Sequence, residues 1–181
     1  MKRIIPFFML AFASMFIYSC DNSDDVVEVP ANDIVLQMRD VTGTFTANNG
    51  FKISQGLAIA NTDAILVYRN TNSNTSNGAV WQLIPKTYYL DDVNNLPVGR
   101  ELDYNFDFTS QDVQIRTEAN FNQSSQITTG EIAQYLTNQT FRIIILPADP
   151  NKNSTLNYND YNAVIKYYNI DESKVIKTTV N

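Results

Sequence analysis

In the stretch DPNKNSTLNYND, the residues Asp149, Asn151, Asn153, Thr155 (through its carbonyl), Asn157 and Asp160 fall at positions one, three, five, seven, nine and twelve. That spacing wraps oxygen ligands around Ca²⁺ in helix–loop–helix sites. Here position six is Ser154 where a glycine is usual, and position twelve is the short Asp160 where a bidentate glutamate is usual. Two carboxylates facing a strongly hydrated divalent ion predict weak binding, suited only to millimolar extracellular calcium. The competing reading is an Asx-rich surface loop that ends in a helix cap, and the residue types favour it.

Two further groups could do chemistry. Glu101, Asp103, Asp107 and Glu118 form a row of acids on alternating positions, and paired carboxylates are the machinery of glycoside hydrolysis. Every strand with one solvated face makes such rows, however, and Arg116 offers an ordinary partner. Trp81, Tyr88 and Tyr89 could stack on sugar faces or anchor a protein partner. Trp81 sits in an apolar run that reads as core, whereas Tyr88 and Tyr89 must point to opposite faces of an extended strand, so one of them is outside.

Absences narrow the chemistry further. The chain has no histidine and a single cysteine, which rules out Ser/His/Asp triads, imidazole acid–base catalysis, histidine-held metals, disulfides and C-x-x-C redox pairs. Its six glycines make no phosphate-cradling loop. No cofactor is implied, with calcium the one ion the spacing raises. The acidic balance disfavours nucleic acid as a partner.

The cysteine has a telling position. Lys2 and Arg3 precede an apolar run from Ile4 to Ile17, too short to span a bilayer and ending at Ile17-Tyr18-Ser19-Cys20. The run IYSC resembles the lipobox of bacterial lipoproteins. The resemblance implies cleavage before Cys20, lipidation of its thiol and attachment to a membrane through acyl chains, each buried CH₂ contributing about 0.8 kcal/mol. The following DNSDDVVE is similar to the acidic tag of surface-exposed Bacteroidetes lipoproteins, which implies an outer-membrane protein facing the medium, with the periplasmic orientation as the alternative. Residues 1–19 are then a signal peptide, 20–32 a lipidated acidic tether and 33–181 one β-rich domain. Without Lys2 and Arg3 the balance is 11 basic against 19 acidic side chains, about −8.

The elements that must position these groups are mostly strands. DIVLQMRDVTGTFTA reads as one or two strands with Ile34, Leu36 and Met38 alternating, and ANNG turns the chain into FKIS. AILVYR and TFRIIILPAD are continuous apolar runs of buried-strand length, and AVWQLIP returns to pair with the first of them. In ELDYNFDFTSQDVQIRTEANF, period-two alternation on both arms predicts a hairpin with Phe106 opposite Ile115 and Arg116 opposite Asn105, Asp103 and Asp107 lying on the diagonals. TTGEIAQYL suggests a helical turn. Tyr161, Val164, Ile165 and Tyr168 fall at i, i+3, i+4 and i+7, predicting a short amphipathic helix capped by Asp160 or Asn159. SKVIKTTV closes the chain as a lysine-bearing edge strand.

The sum predicts a mainly β fold, an antiparallel β-sandwich of about eight strands with one short C-terminal amphipathic helix. An antiparallel sheet covered by that helix is the alternative. The phrases WQLIPKTYYL, LDYNFDFTSQDVQI, NQTFRIIILPAD and DYNAVIKYYNI, in this order, resemble a set of small Flavobacterium-type Bacteroidetes lipoproteins, a set without an established activity. The function expected is non-enzymatic, a lipid-anchored surface domain that binds a protein or glycan partner or serves the envelope. A weak calcium- or carbohydrate-binding module is the alternative and a carboxylate hydrolase the third reading.

Overall fold

The computed structural model describes residues 38–148 and 155–180. The leader, Cys20, the acidic tether and the loop residues Asp149, Asn151 and Asn153 lie outside them. The strands are β1 (Met38–Gly43), β2 (Lys52–Gly56), β3 (Ala64–Asn70), β4 (Trp81–Leu83), β5 (Lys86–Tyr89), β6 (Glu101–Phe108), β7 (Asp112–Ala119), β8 (Gln139–Leu146) and β9 (Ile176–Thr179). The helices are α1 (Thr129–Glu131), which runs on into a π-helical turn at Ile132–Leu136, and α2 (Tyr161–Tyr167).

The strands form a five-stranded sheet in the order β4-β3-β8-β1-β9 and a four-stranded sheet in the order β2-β7-β6-β5. All pairings are antiparallel except β1 with β9. The alternation in β6 and β7 does what period two requires. Phe106 pairs with Ile115 and Asn105 with Arg116, while Leu102, Tyr104, Val113 and Ile115 turn inward and their polar neighbours turn out. Val41, Val67, Phe141 and Ile143 meet them from the five-stranded sheet, and burial of these two apolar faces closes the sandwich.

β8 shows why its sequence does not alternate. Phe141, Ile143 and Ile145 face the other sheet, whereas Ile144 and Leu146 face a second cluster with Met38 and Tyr68, against Tyr161 and Val164 of α2. The five-stranded sheet is therefore covered on both faces, and the two architectures the sequence suggests are combined in one fold. α2 starts as its pattern demands, with Asp160 Oδ1 accepting from the Ala163 amide at 3.0 Å. β9 is the predicted edge strand, although it joins in parallel.

Three arginines lie inside this fold, and each is accommodated differently. Arg142 pairs with carboxylates on the outer face of the five-stranded sheet. Arg100, at the foot of β6, makes a two-pronged pair with Glu131 (2.7 and 2.8 Å) and also donates to the Asp91 and Gln126 carbonyls, binding three loops at one end of the sandwich. Arg69 points between the sheets and, among the described residues, forms no salt bridge. It donates to Gln139 Oε1 (3.0 and 2.6 Å) and the Gln134 carbonyl (2.8 Å), with the rings of Tyr88, Tyr104 and Tyr135 4.8 to 5.5 Å from its guanidinium.

Candidate functional site

The described half of the calcium-like loop is already engaged. Asp160 gives one oxygen to the α2 cap, and Asn157 Oδ1 accepts from the Asn159 amide at 3.1 Å, an Asx turn. Thr155 stands at the start of this described stretch. Among the described residues no three acid, cysteine or histidine side chains gather as a metal group. With only two carboxylates in the loop, millimolar calcium is expected to leave the melting temperature of the protein unchanged relative to a chelator. A specific site filled to about 100 times its dissociation constant would add roughly 2.7 kcal/mol, a shift easily seen by differential scanning fluorimetry.

The acid row occupies the outer face of the four-stranded sheet. Asp103 stands opposite Glu118, and like charges across a strand pair repel, so each finds separate relief. Asp103 accepts from the Thr87 hydroxyl on β5, while Glu118 accepts from Arg116 Nε (3.0 Å) and Asn105 Nδ2 (3.1 Å). Arg116 pairs with Asp107 as expected, but its second acid is Glu118 and not Asp103. The cause is geometric: Thr87 lies directly across from Asp103 in the β5–β6 register. A depression of about 320 Å³ on this face is lined by Asp103 and Tyr89 but by neither Asp107 nor Glu118. These acids do not enclose a common substrate position.

The aromatic pair divides as its alternation requires. Tyr89 is 75% exposed on the same outer face, whereas Tyr88 turns inward, packs edge-on to Tyr104 at 5.5 Å, and donates to Gln82. Tyr88, half-buried, is thereby a wall of the Arg69 cage.

The most organised polar constellation lies elsewhere, on the outer face of the five-stranded sheet beside α2. Asp40 and Arg142 are direct partners in the β1–β8 register and form a two-pronged pair at 2.7 and 2.8 Å. Arg142 Nη1 also donates to Glu172 Oε2 at 2.6 Å and to the Tyr161 hydroxyl, which in turn donates to Glu172 at 2.6 Å. Burial alone works against the Arg142 charge, but the Asp40 carboxylate outweighs it and holds the guanidinium above its ordinary value. Burial, reinforced by Glu172, pushes the Tyr161 phenol up, so it remains a hydrogen-bond donor. The guanidinium lies over the Trp81 indole, 4.2 Å from its centroid, and the Trp81 and Tyr161 rings are 5.8 Å apart.

Trp81 is partly exposed and borders two adjoining depressions. The larger, about 740 Å³, is lined by Tyr161, Asn157, Asn159, Asn162, Asp160 and Glu172 around the indole. The smaller, about 420 Å³, continues across the sheet over Thr42, Thr140, Asn70 and Lys177. Spacing singles out none of Asp40, Arg142 and Glu172, and marks Tyr161 only as part of the apolar stripe of α2. The signal is a charge inside the apolar run TFRIIIL, because an arginine buried in a doubly covered strand must find polar partners within the fold. The chain matches no protein-family model, and neither a curated protein nor a solved structure is similar to it.

Proposed function

We propose that the chain is a lipid-anchored, non-enzymatic binding domain of the bacterial outer surface, held through Cys20 and presenting the Trp81 groove to its ligand. The observation that carries the reading is the groove itself. An indole locked from beneath by an arginine that is in turn fixed by Asp40, Tyr161 and Glu172 is a preorganised recognition platform, since little side-chain freedom is left to lose on binding. The absence of histidine from the sequence and the use of Cys20 as the anchor support binding over catalysis. The short apolar leader before Cys20 and the acidic residues after it support export and display.

The anchor is tested by labelling producing cells with an alkyne fatty acid and measuring the intact mass of the purified protein. Label on the native chain, its loss in Cys20→Ser and a mass lacking residues 1–19 are expected. An unmodified thiol, or a leader still attached, overturns the anchor. Protease added to intact cells is expected to digest the domain. Protection until the outer membrane is permeabilised overturns surface display and places the domain in the periplasm.

A further inference from the structure

We infer that the Trp81 groove takes a neutral oligosaccharide, an assignment that rests on the reading of the groove as the binding site and names its ligand class. Four observations converge on it. The first is the lining: an aromatic platform of Trp81 beside Tyr161 is ringed by the amide side chains of Asn157, Asn159 and Asn162 and by the carboxylates of Asp160 and Glu172. Apolar ring faces packed on an indole, with amides and carboxylates taking vicinal hydroxyls, are the complementary halves of a pyranose.

The second observation disfavours an anion in the larger depression; among the described residues, Lys177 is the one cation without a carboxylate partner that borders the smaller one. The donors of Arg142 are directed to Asp40, Tyr161 and Glu172, so this cation has been spent inside the protein. The charged groups among the described residues lining the larger depression are both carboxylates. A phosphate or carboxylate ligand would enter against them unpaired.

The third disfavours a cation. Glu172 Oε2 is already taken by Arg142 and the Tyr161 hydroxyl, and Trp81 already holds a guanidinium over one ring face. A second cation on that indole would face the first across the ring, losing the attraction that makes an aromatic surface a cation site. Hydroxyl groups can still donate to the carboxylate oxygens without that repulsion.

The fourth is extent. A volume of about 740 Å³ lies within the usual range for ligand sites, and the neighbouring depression shares Ala79 and Trp81 with it. Thr42 and Thr140, whose hydroxyls bond to each other at 2.8 Å, continue the polar floor there. Two adjoining hollows with an indole between them suit a chain of several sugar units better than a single one.

The test is isothermal titration calorimetry on the full chain, kept soluble in a detergent without a sugar headgroup, against maltohexaose, cellohexaose, xylohexaose and chitohexaose, with spermidine and polygalacturonate as cationic and anionic arms. One or more neutral hexaoses are expected to bind with a dissociation constant between roughly micromolar and millimolar. Trp81→Ala should weaken that binding about tenfold or more, and Trp81→Phe, which keeps a ring over Arg142, by less. Tyr89→Ala, on the opposite sheet, should leave it unchanged, and circular dichroism of each variant establishes that it is folded. Binding to no neutral hexaose overturns the saccharide assignment. Spermidine or polygalacturonate bound through Trp81 overturns it too, yet leaves the groove as the binding site. Saccharide binding lost in Tyr89→Ala and intact in Trp81→Ala overturns the groove itself.

Discussion

Replacing Arg69 by alanine is expected to lower the unfolding free energy by about 3 to 5 kcal/mol, a large part of what a domain of this size has. Arg69 is 2% exposed, and its loss leaves a cavity between the sheets. It also strips the donors from Gln139 Oε1 and from the Gln134 carbonyl in the π-helical turn. That turn depends on outside donors. Asn74 caps the Ala133 and Thr137 carbonyls, Arg69 the Gln134 carbonyl and the Tyr104 hydroxyl the Tyr135 carbonyl, so the wide turn is held by side chains reaching across from both sheets. Burial pushes the Tyr104 phenol up, so the cage offers ring faces and a neutral hydroxyl rather than a phenolate. Arg69→Met keeps the packed stem and should cost less, about 2 kcal/mol, chiefly from the orphaned Gln139 oxygen. Adding Gln139→Leu removes that orphan, while the Thr137 carbonyl keeps its bond from Asn74, and at least half of the loss should return. Urea unfolding followed by the fluorescence of the single tryptophan reads all three. A double variant no more stable than Arg69→Met would mean that Gln139 is not what the arginine serves.

The parts of the fold that could be read in the letters are those governed by local periodicity. The β6–β7 register follows from two arms alternating around a short turn, because a slip of one residue would turn Leu102, Tyr104, Val113 and Ile115 out to water. α2 and its Asp160 cap follow from one apolar stripe and one short acid. What could not be read is partner choice across long sequence separations. Asp40 meets Arg142, 102 residues away, because β1 and β8 lie side by side, and nothing near either residue announces the other. The candidate site is therefore legible only in its ingredients. Trp81 was visible as an aromatic in an apolar strand, Asn157 and Asp160 as loop oxygens, and their convergence on one groove depends on where α2 docks. Its docking face, with Tyr161 and Val164 against Tyr68 and Ile144, was half visible, since the helix stripe was clear but the unoccupied face of the sheet was not. TTGEIAQYL is legible as a helical turn, which α1 bears out, and Thr128 with Glu131 adds the reciprocal capping box that starts it.

That capping box leads to the second large effect. Glu131 serves two masters: it returns to the Thr128 amide at 2.8 Å and it neutralises Arg100, which is 1% exposed. The hydrogen bonds from Arg100, helped by those from Thr128, hold the Glu131 carboxyl below the usual carboxylate range despite its burial. An unfolded glutamate titrates near pH 4.3, so between that pH and the lower folded value the unfolded chain binds the proton and the folded chain does not. Stability from this group is therefore fully present above about pH 4.3 and is lost as the pH falls through the folded value. Glu131→Gln keeps the shape, removes the charge and leaves Arg100 buried without its counter-ion, at a cost of about 3 kcal/mol near neutral pH. As the native carboxyl protonates it comes to resemble the amide, so the gap between native protein and variant should hold from neutrality down to about pH 4.3 and narrow below it. Urea midpoints for both proteins from neutrality to about pH 3 measure this gap directly. A gap that stays constant over that range would mean that the Arg100–Glu131 bond owes its strength to geometry and not to charge, and the account of this loop junction as an ionic clamp would be wrong.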